Sequence, residues 1–83
     1  MAQPDPFLVA LGATIRARRE ELGMTQDALA LAIDTSQRRV WEWENARRDL
    51  RISTSLRPLA RALRMSVSAL MSAAEVRYED ENR

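Results

Sequence analysis

The chain reads as all-α, five helices around one small core, and three observations predict this. Apolar residues recur at three- and four-residue spacing in successive stretches. Nothing alternates with period two over a useful length, and β-branched residues are scattered. Each stretch is preceded by a residue suited to cap a helix, namely Asp5, Thr25, Ser36, Thr54 or Ser55, and Ser66. Eighty-three residues allow one domain and one core, so residues 1–83 are read as a single unit. Its packed part spans about residues 7–75, and residues 79–83 form a polar tail expected to fray.

The first helix is expected to open at Asp5-Pro6, because Asp caps well and proline fits a first turn whose N–H has no partner. Leu8, Leu11, Ile15 and Leu22 then share one face, with Arg18 or Arg19 filling the slot between, and Gly23 is placed to end the helix in a left-handed cap. A second helix follows Thr25 to about Ile33, with Leu29, Ala30 and Ile33 inward. Asp34-Thr35 is a turn. A third helix follows Ser36 to about Asn45, its Val40 and Trp43 spaced to enter the core. Residues 46–54 read as an arginine-rich loop. A fourth helix covers Ser55 to Leu63, capped by Thr54 or Ser55 so that Pro58 falls in its first turn; Leu56, Leu59, Ala60 and Leu63 form its apolar face. A fifth follows Ser66, with Val67, Leu70, Met71 and Ala74 at helical spacing.

Composition excludes much. With 46% hydrophobic and 30% charged residues the chain is expected to fold, and no apolar run approaches the roughly 20 residues of a membrane span. The start, MAQPDPFLVALG, lacks the basic region of a signal peptide. Cysteine is absent, which fits a reducing cytoplasm. Histidine is absent too, so the usual zinc sites and most nucleophile–base pairs are excluded. No carboxylate pair stands in a catalytic context. The expectation is therefore a cytoplasmic non-enzyme with no metal, cofactor or small-molecule ligand.

Charge is uneven. All 13 basic residues are arginine. Residues 36–64 carry a net +5, whereas residues 1–35 and 65–83 each carry −2. The positive segment starts at the third helix, which opens with Gln37, Arg38 and Arg39. Amide and guanidinium side chains of this kind match base edges in the DNA major groove, and a local basic patch suits phosphates even when overall charge is near zero. Two short helices joined by a tight polar turn over residues 23–46 form a helix-turn-helix pattern.

The pieces LGATIRARREELGMTQDALA, SQRRVWEWEN and LRPLARALRMSVSAL, spanning Leu11 to Leu70, resemble the helix-turn-helix domain of the XRE family, the phage repressor and Cro type. The resemblance implies a five-helix repressor-like fold. It also implies that Gln26 contacts a phosphate and braces the third helix, that Gln37 and Arg38 read bases with Arg39 and Glu42 as further contacts, and that Arg47, Arg48 and Arg51 grip the backbone. Arg19 and Glu44 would form a partly buried structural ion pair. Two positions depart from the family pattern: Asp34 stands where the turn usually has glycine, and Ala46 where a glycine follows the third helix. Asp34 tolerates the left-handed region, and Asn45 is expected to take that conformation in place of Ala46.

The resemblance further implies a homodimer on a duplex operator, with half-sites about 34 Å apart. Val67, Leu70, Met71, Ala74 and Tyr78 of the fifth helix are the expected seam, unless they close the core of one chain or do both. Trp41 has three readings: packed on the fourth helix, exposed near DNA sugars or thymine methyls, or part of an interface. Glu42 is also read as an arginine partner, and Arg57, Arg61 and Arg64 as solvated. The expected function is autoregulatory transcription control, as in the controller protein of a restriction-modification system, with a small Cro-like repressor or an antitoxin as the other kinds. The alternative class is a protein-interaction module with DNA binding secondary.

Overall fold

The computed structural model describes residues 5–82. Five α-helices run in order, α1 (Pro6–Glu21), α2 (Gln26–Ala32), α3 (Gln37–Glu44), α4 (Arg57–Ala62) and α5 (Val67–Glu81), and a wide π-helical turn (Ile52–Leu56) leads into α4. There is no strand among the described residues.

The helix starts follow local chemistry. Asp5, Thr25, Ser36 and Ser66 each accept a hydrogen bond from a first-turn backbone N–H, at Phe7, Ala28, Arg39 and Ala69 respectively. α4 starts differently. Neither Thr54 nor Ser55 caps it, contrary to the sequence expectation, and the chain is already helical from Ile52. Pro58 explains the wider winding. It offers no N–H to the Thr54 carbonyl, and in a regular α-helix its ring would strike that carbonyl. The Leu56 N–H reaches back five residues to the Arg51 carbonyl, 2.8 Å away, in the spacing of a π-turn.

The helix ends share one device. Gly23, Asp34, Ala46 and Arg64 all lie at positive φ, from 56° to 70°. In each case the next residue's N–H bonds a carbonyl five residues back: Met24 to Arg19, Thr35 to Ala30, Arg47 to Glu42 and Met65 to Ala60. Ala46, not Asn45, takes the left-handed conformation after α3. Asn45 sits at φ −106° and turns its side-chain amide onto the Trp41 carbonyl instead, at 2.9 Å. Holding Ala46 there carries its methyl into the buried interior.

Leu11, Ile15, Leu29, Ala30, Val40, Trp43, Leu56, Leu59, Ala60, Leu63, Leu70 and Ala74 form one continuous core. α1 lies along α5 and also crosses the end of α3. That crossing is close: a Cβ on Gly12 would fall 2.6 Å from the Trp43 carbonyl oxygen and 2.7 Å from that of Glu44. At the outer end of α1, Phe7 rather than Leu8 packs on the core and meets Tyr78 edge-on, with centroids 6.0 Å apart. This contact, with Arg77 Nε donating to Thr14 Oγ1, ties the far half of α5 to α1. α5 therefore runs to Glu81, and residues 79–81 of the expected frayed tail are helical. Arg83 lies outside the described residues.

Candidate nucleic-acid interface

α3 buries Val40, Trp43 and Glu44, and leaves Gln37, Arg38, Arg39 and Trp41 exposed. At about 100° per residue, Arg38 points almost directly away from the buried side. Asn45 and Glu42 flank it, and Trp41 and Arg39 are turned toward the two edges. Trp41 is 46% exposed, on the outward face rather than in the core.

Behind this face stands a connected set of side chains. Glu44 accepts from Arg19 Nε at 2.6 Å and Nη2 at 3.0 Å, a two-pronged pair with the Glu44 side chain only 1% exposed. The hydrogen bond to Glu44 holds the Arg19 guanidinium above its ordinary range and outweighs the opposing effect of burial. Arg19 Nη1 also donates to the Met24 carbonyl. Gln26 Nε2 donates to Glu44 Oε1 at 3.0 Å, and Gln37 Nε2 donates to Gln26 Oε1 at 3.2 Å. The first residues of α2 and α3 are thus joined to each other and to the ion pair. The resemblance implies that Gln26 braces α3; the structure places its amide between Gln37 and Glu44, and neither partner appears in any spacing rule.

The loop after α3 carries Arg47, Arg48 and Arg51, all exposed. Arg48 Nε donates to Glu42 Oε1 at 3.1 Å, which fastens the loop to α3 and gives Glu42 the arginine-pairing role. Arg38, Arg39, Arg47 and Arg51 have no side-chain partner among the described residues. Four unneutralised guanidinium groups therefore flank one helix face and its following loop.

The expected dimer residues divide. Leu70 and Ala74 are wholly buried within the single chain, which leaves them no surface to offer a partner. Val67, Met71 and Tyr78 are half-buried, and Val76 on the outer edge of α5, absent from the expectation, is 60% exposed. Gly12 carries no spacing signal of its own; glycine costs stability inside a helix, and the closeness of the α3 backbone is what requires it here.

A helix-turn-helix family model matches residues 15–70. The chain belongs to the helix-turn-helix family, of the XRE type. The matched stretch begins at a core residue of α1 and ends at Leu70, so it holds the whole α2–turn–α3 unit and the brace behind it. Among solved structures, this helix-turn-helix chain is similar to the clp gene regulator ClgR from Corynebacterium glutamicum, with a TM-score of 0.86 at 29% identity over 92% of this chain and 80% of that one. It is also similar to the restriction-modification controller protein C.AhdI from Aeromonas hydrophila, with a TM-score of 0.71 at 27% identity over 76% of this chain and 94% of that one. No curated protein sequence matches the chain. The fold is that of helix-turn-helix DNA-binding regulators, not of an enzyme family. No helix among the described residues is long and apolar enough to cross a membrane.

Proposed function

We propose that the chain is a sequence-specific regulator of transcription that binds duplex DNA as a homodimer and controls its own operon. The observation that carries this is the exposed face of α3, where Gln37 and Arg38 stand outward with unneutralised arginines beside them. α3 enters the major groove, where Gln37 and Arg38 meet base edges. Arg39 lies at the flank, and Glu42 orients Arg48 in preference to reading a cytosine. Gln26, Arg47, Arg48 and Arg51 hold phosphates and set register. The similarity to a gene regulator and to a restriction-modification controller protein supports regulation, and the latter favours the controller kind. The dimer seam runs along one edge of α5, through the half-buried Val67, Met71 and Tyr78.

A mobility-shift titration with DNA from upstream of the chain's own gene tests this, using wild type and Arg38→Ala at two salt concentrations. Wild type shifts that DNA cooperatively, and Arg38→Ala loses its preference over random DNA. Absence of binding to either DNA at low salt refutes the reading. The exposed Trp41, Leu31 and Ile52 favour a second reading, docking of a protein partner. Binding through several arginines weakens steeply with salt, whereas apolar docking does not.

A further inference from the structure

We infer that the buried carboxylate of Glu44, held by Arg19, selects which end of the Gln37 amide faces a base, so that the ion pair is a specificity device as well as a brace. The inference rests on the DNA-binding reading above.

A carboxylate only accepts hydrogen bonds. Gln26 can therefore meet Glu44 Oε1 only through its NH2 group, as it does at 3.0 Å. Because the amide is planar, its oxygen then lies on the opposite side, toward Gln37. Gln37 can answer only with its own NH2, at 3.2 Å. One buried charge thus orients two amides in series, and the second is exposed at the start of α3. Arg19 makes the arrangement one-way. A guanidinium has only donors, so Glu44 cannot be replaced by a donor on that side without leaving Arg19 unpaired.

Polarity has consequences at a base edge. Gln37 retains its carbonyl oxygen and one N–H for a ligand. Adenine offers an acceptor, N7, beside a donor, the N6 amine, and an amide matches both in one orientation. Turned over, the amide sets oxygen against N7 and N–H against the amine, and both contacts repel. The Arg19–Glu44 pair thereby acts as a positioning element for base choice, without touching DNA.

Glu44→Gln is the informative change, because it preserves shape. Arg19 Nε, the shorter bond at 2.6 Å, keeps the oxygen of the new amide; the NH2 then stands where Oε1 was, gives up the bond from Arg19 Nη2 and faces Gln26. Gln26 turns its oxygen to meet it, and Gln37 turns in response. Selection of bound duplexes from a randomised pool, with the full chain, gives the base preference at every position, and Gln37→Ala identifies the position that Gln37 reads. The expected result is that Glu44→Gln loses on the order of tenfold preference at that position and keeps the rest of the profile. Gln26→Leu leaves the ion pair intact and cuts the relay. It relaxes the same position, on top of an even loss from its phosphate contact. If both variants weaken binding evenly, or leave the profile unchanged, the pair is structural only and the inference falls. Side-chain amide NMR without DNA separates this from the DNA reading. The NH2 resonances of Gln26 and Gln37 move together in Glu44→Gln if the relay exists. If they stay, it is overturned even where wild type binds DNA, and if wild type selects no sequence while they move, only the DNA reading fails.

Discussion

Gly12→Ala should destabilise the fold, although helix propensity alone predicts the reverse. Replacing a mid-helix glycine by alanine ordinarily gains about 0.8–1 kcal/mol. Here the new methyl would sit 2.6 and 2.7 Å from the carbonyl oxygens of Trp43 and Glu44. A carbon–oxygen contact needs about 3.3–3.6 Å, so α1 has to lift from the end of α3 by roughly 0.7 Å. Both obstacles are backbone, and neither can rotate aside. The lift is resisted on one side by the Arg19–Glu44 pair and on the other by the packing of α1 along α5. Overpacking of this kind costs about 1–3 kcal/mol and at times more. With the propensity gain subtracted from the upper part of that range, the net loss is about 1–2 kcal/mol. That lowers the melting temperature by roughly 4–16 °C in a domain of this size. Urea unfolding followed by far-UV circular dichroism measures it, with an unchanged denaturant slope showing that the unfolded state is unaffected. A variant more stable than wild type would refute the close-approach argument, since propensity would then be the whole effect.

Other outcomes follow from the same geometry. Arg19→Met leaves the Glu44 carboxylate buried with one hydrogen bond from Gln26, and should cost about 3–5 kcal/mol by chemical denaturation; a loss below 1 kcal/mol would mean the pair is idle. Arg64→Gly removes an exposed left-handed residue at φ 59°, and should stabilise by about 0.5–1 kcal/mol once the looser unfolded chain is allowed for. Calorimetry that shows a loss would place a hidden contact on the arginine. Arg51→Ala should leave stability alone but reduce the slope of log affinity against log salt by about 1, whereas an unchanged slope would mean that Arg51 touches no phosphate. Trp41→Ala should cost about 1–2 kcal/mol, since at 46% exposure about half of the side chain is covered, and should weaken DNA binding; a loss of about 3–5 kcal/mol, as for a core tryptophan, would restore the packed reading of this residue.

Much of the architecture was legible because it is written in local chemistry. The capping oxygens of Asp5, Thr25, Ser36 and Ser66 act within three residues of themselves, and the apolar spacing of α1, α2 and α5 needs only the helical period. The same holds for the exposed start of α3, since Val40 and Trp43 leave Gln37 and Arg38 outside whatever they pack against. The family resemblance implied the pairing of Arg19 with Glu44, which are 25 positions apart, and a bracing of α3 by Gln26. By contrast, the π-turn before α4, the left-handed Ala46 and the role of Gly12 depend on how elements meet. Pro58 can be accommodated by a cap or by a wider turn, and nothing local to it decides between the two. Asn45 and Ala46 compete for one conformation, and the choice places Ala46 in the interior and the Asn45 amide on Trp41. The course of α5 to Glu81 has the same origin, because polar residues at its end are held by Phe7 and Thr14 on a distant helix. By itself the sequence determined which segments are helical, which faces are apolar and where positive charge gathers, since these depend on period, capping and composition. Only the tertiary structure decided that Leu70 and Ala74 are spent in the core, that Glu42 holds Arg48, and that Glu44 orients Gln26 and through it Gln37. Those depend on distances between side chains far apart along the chain, which no local spacing encodes.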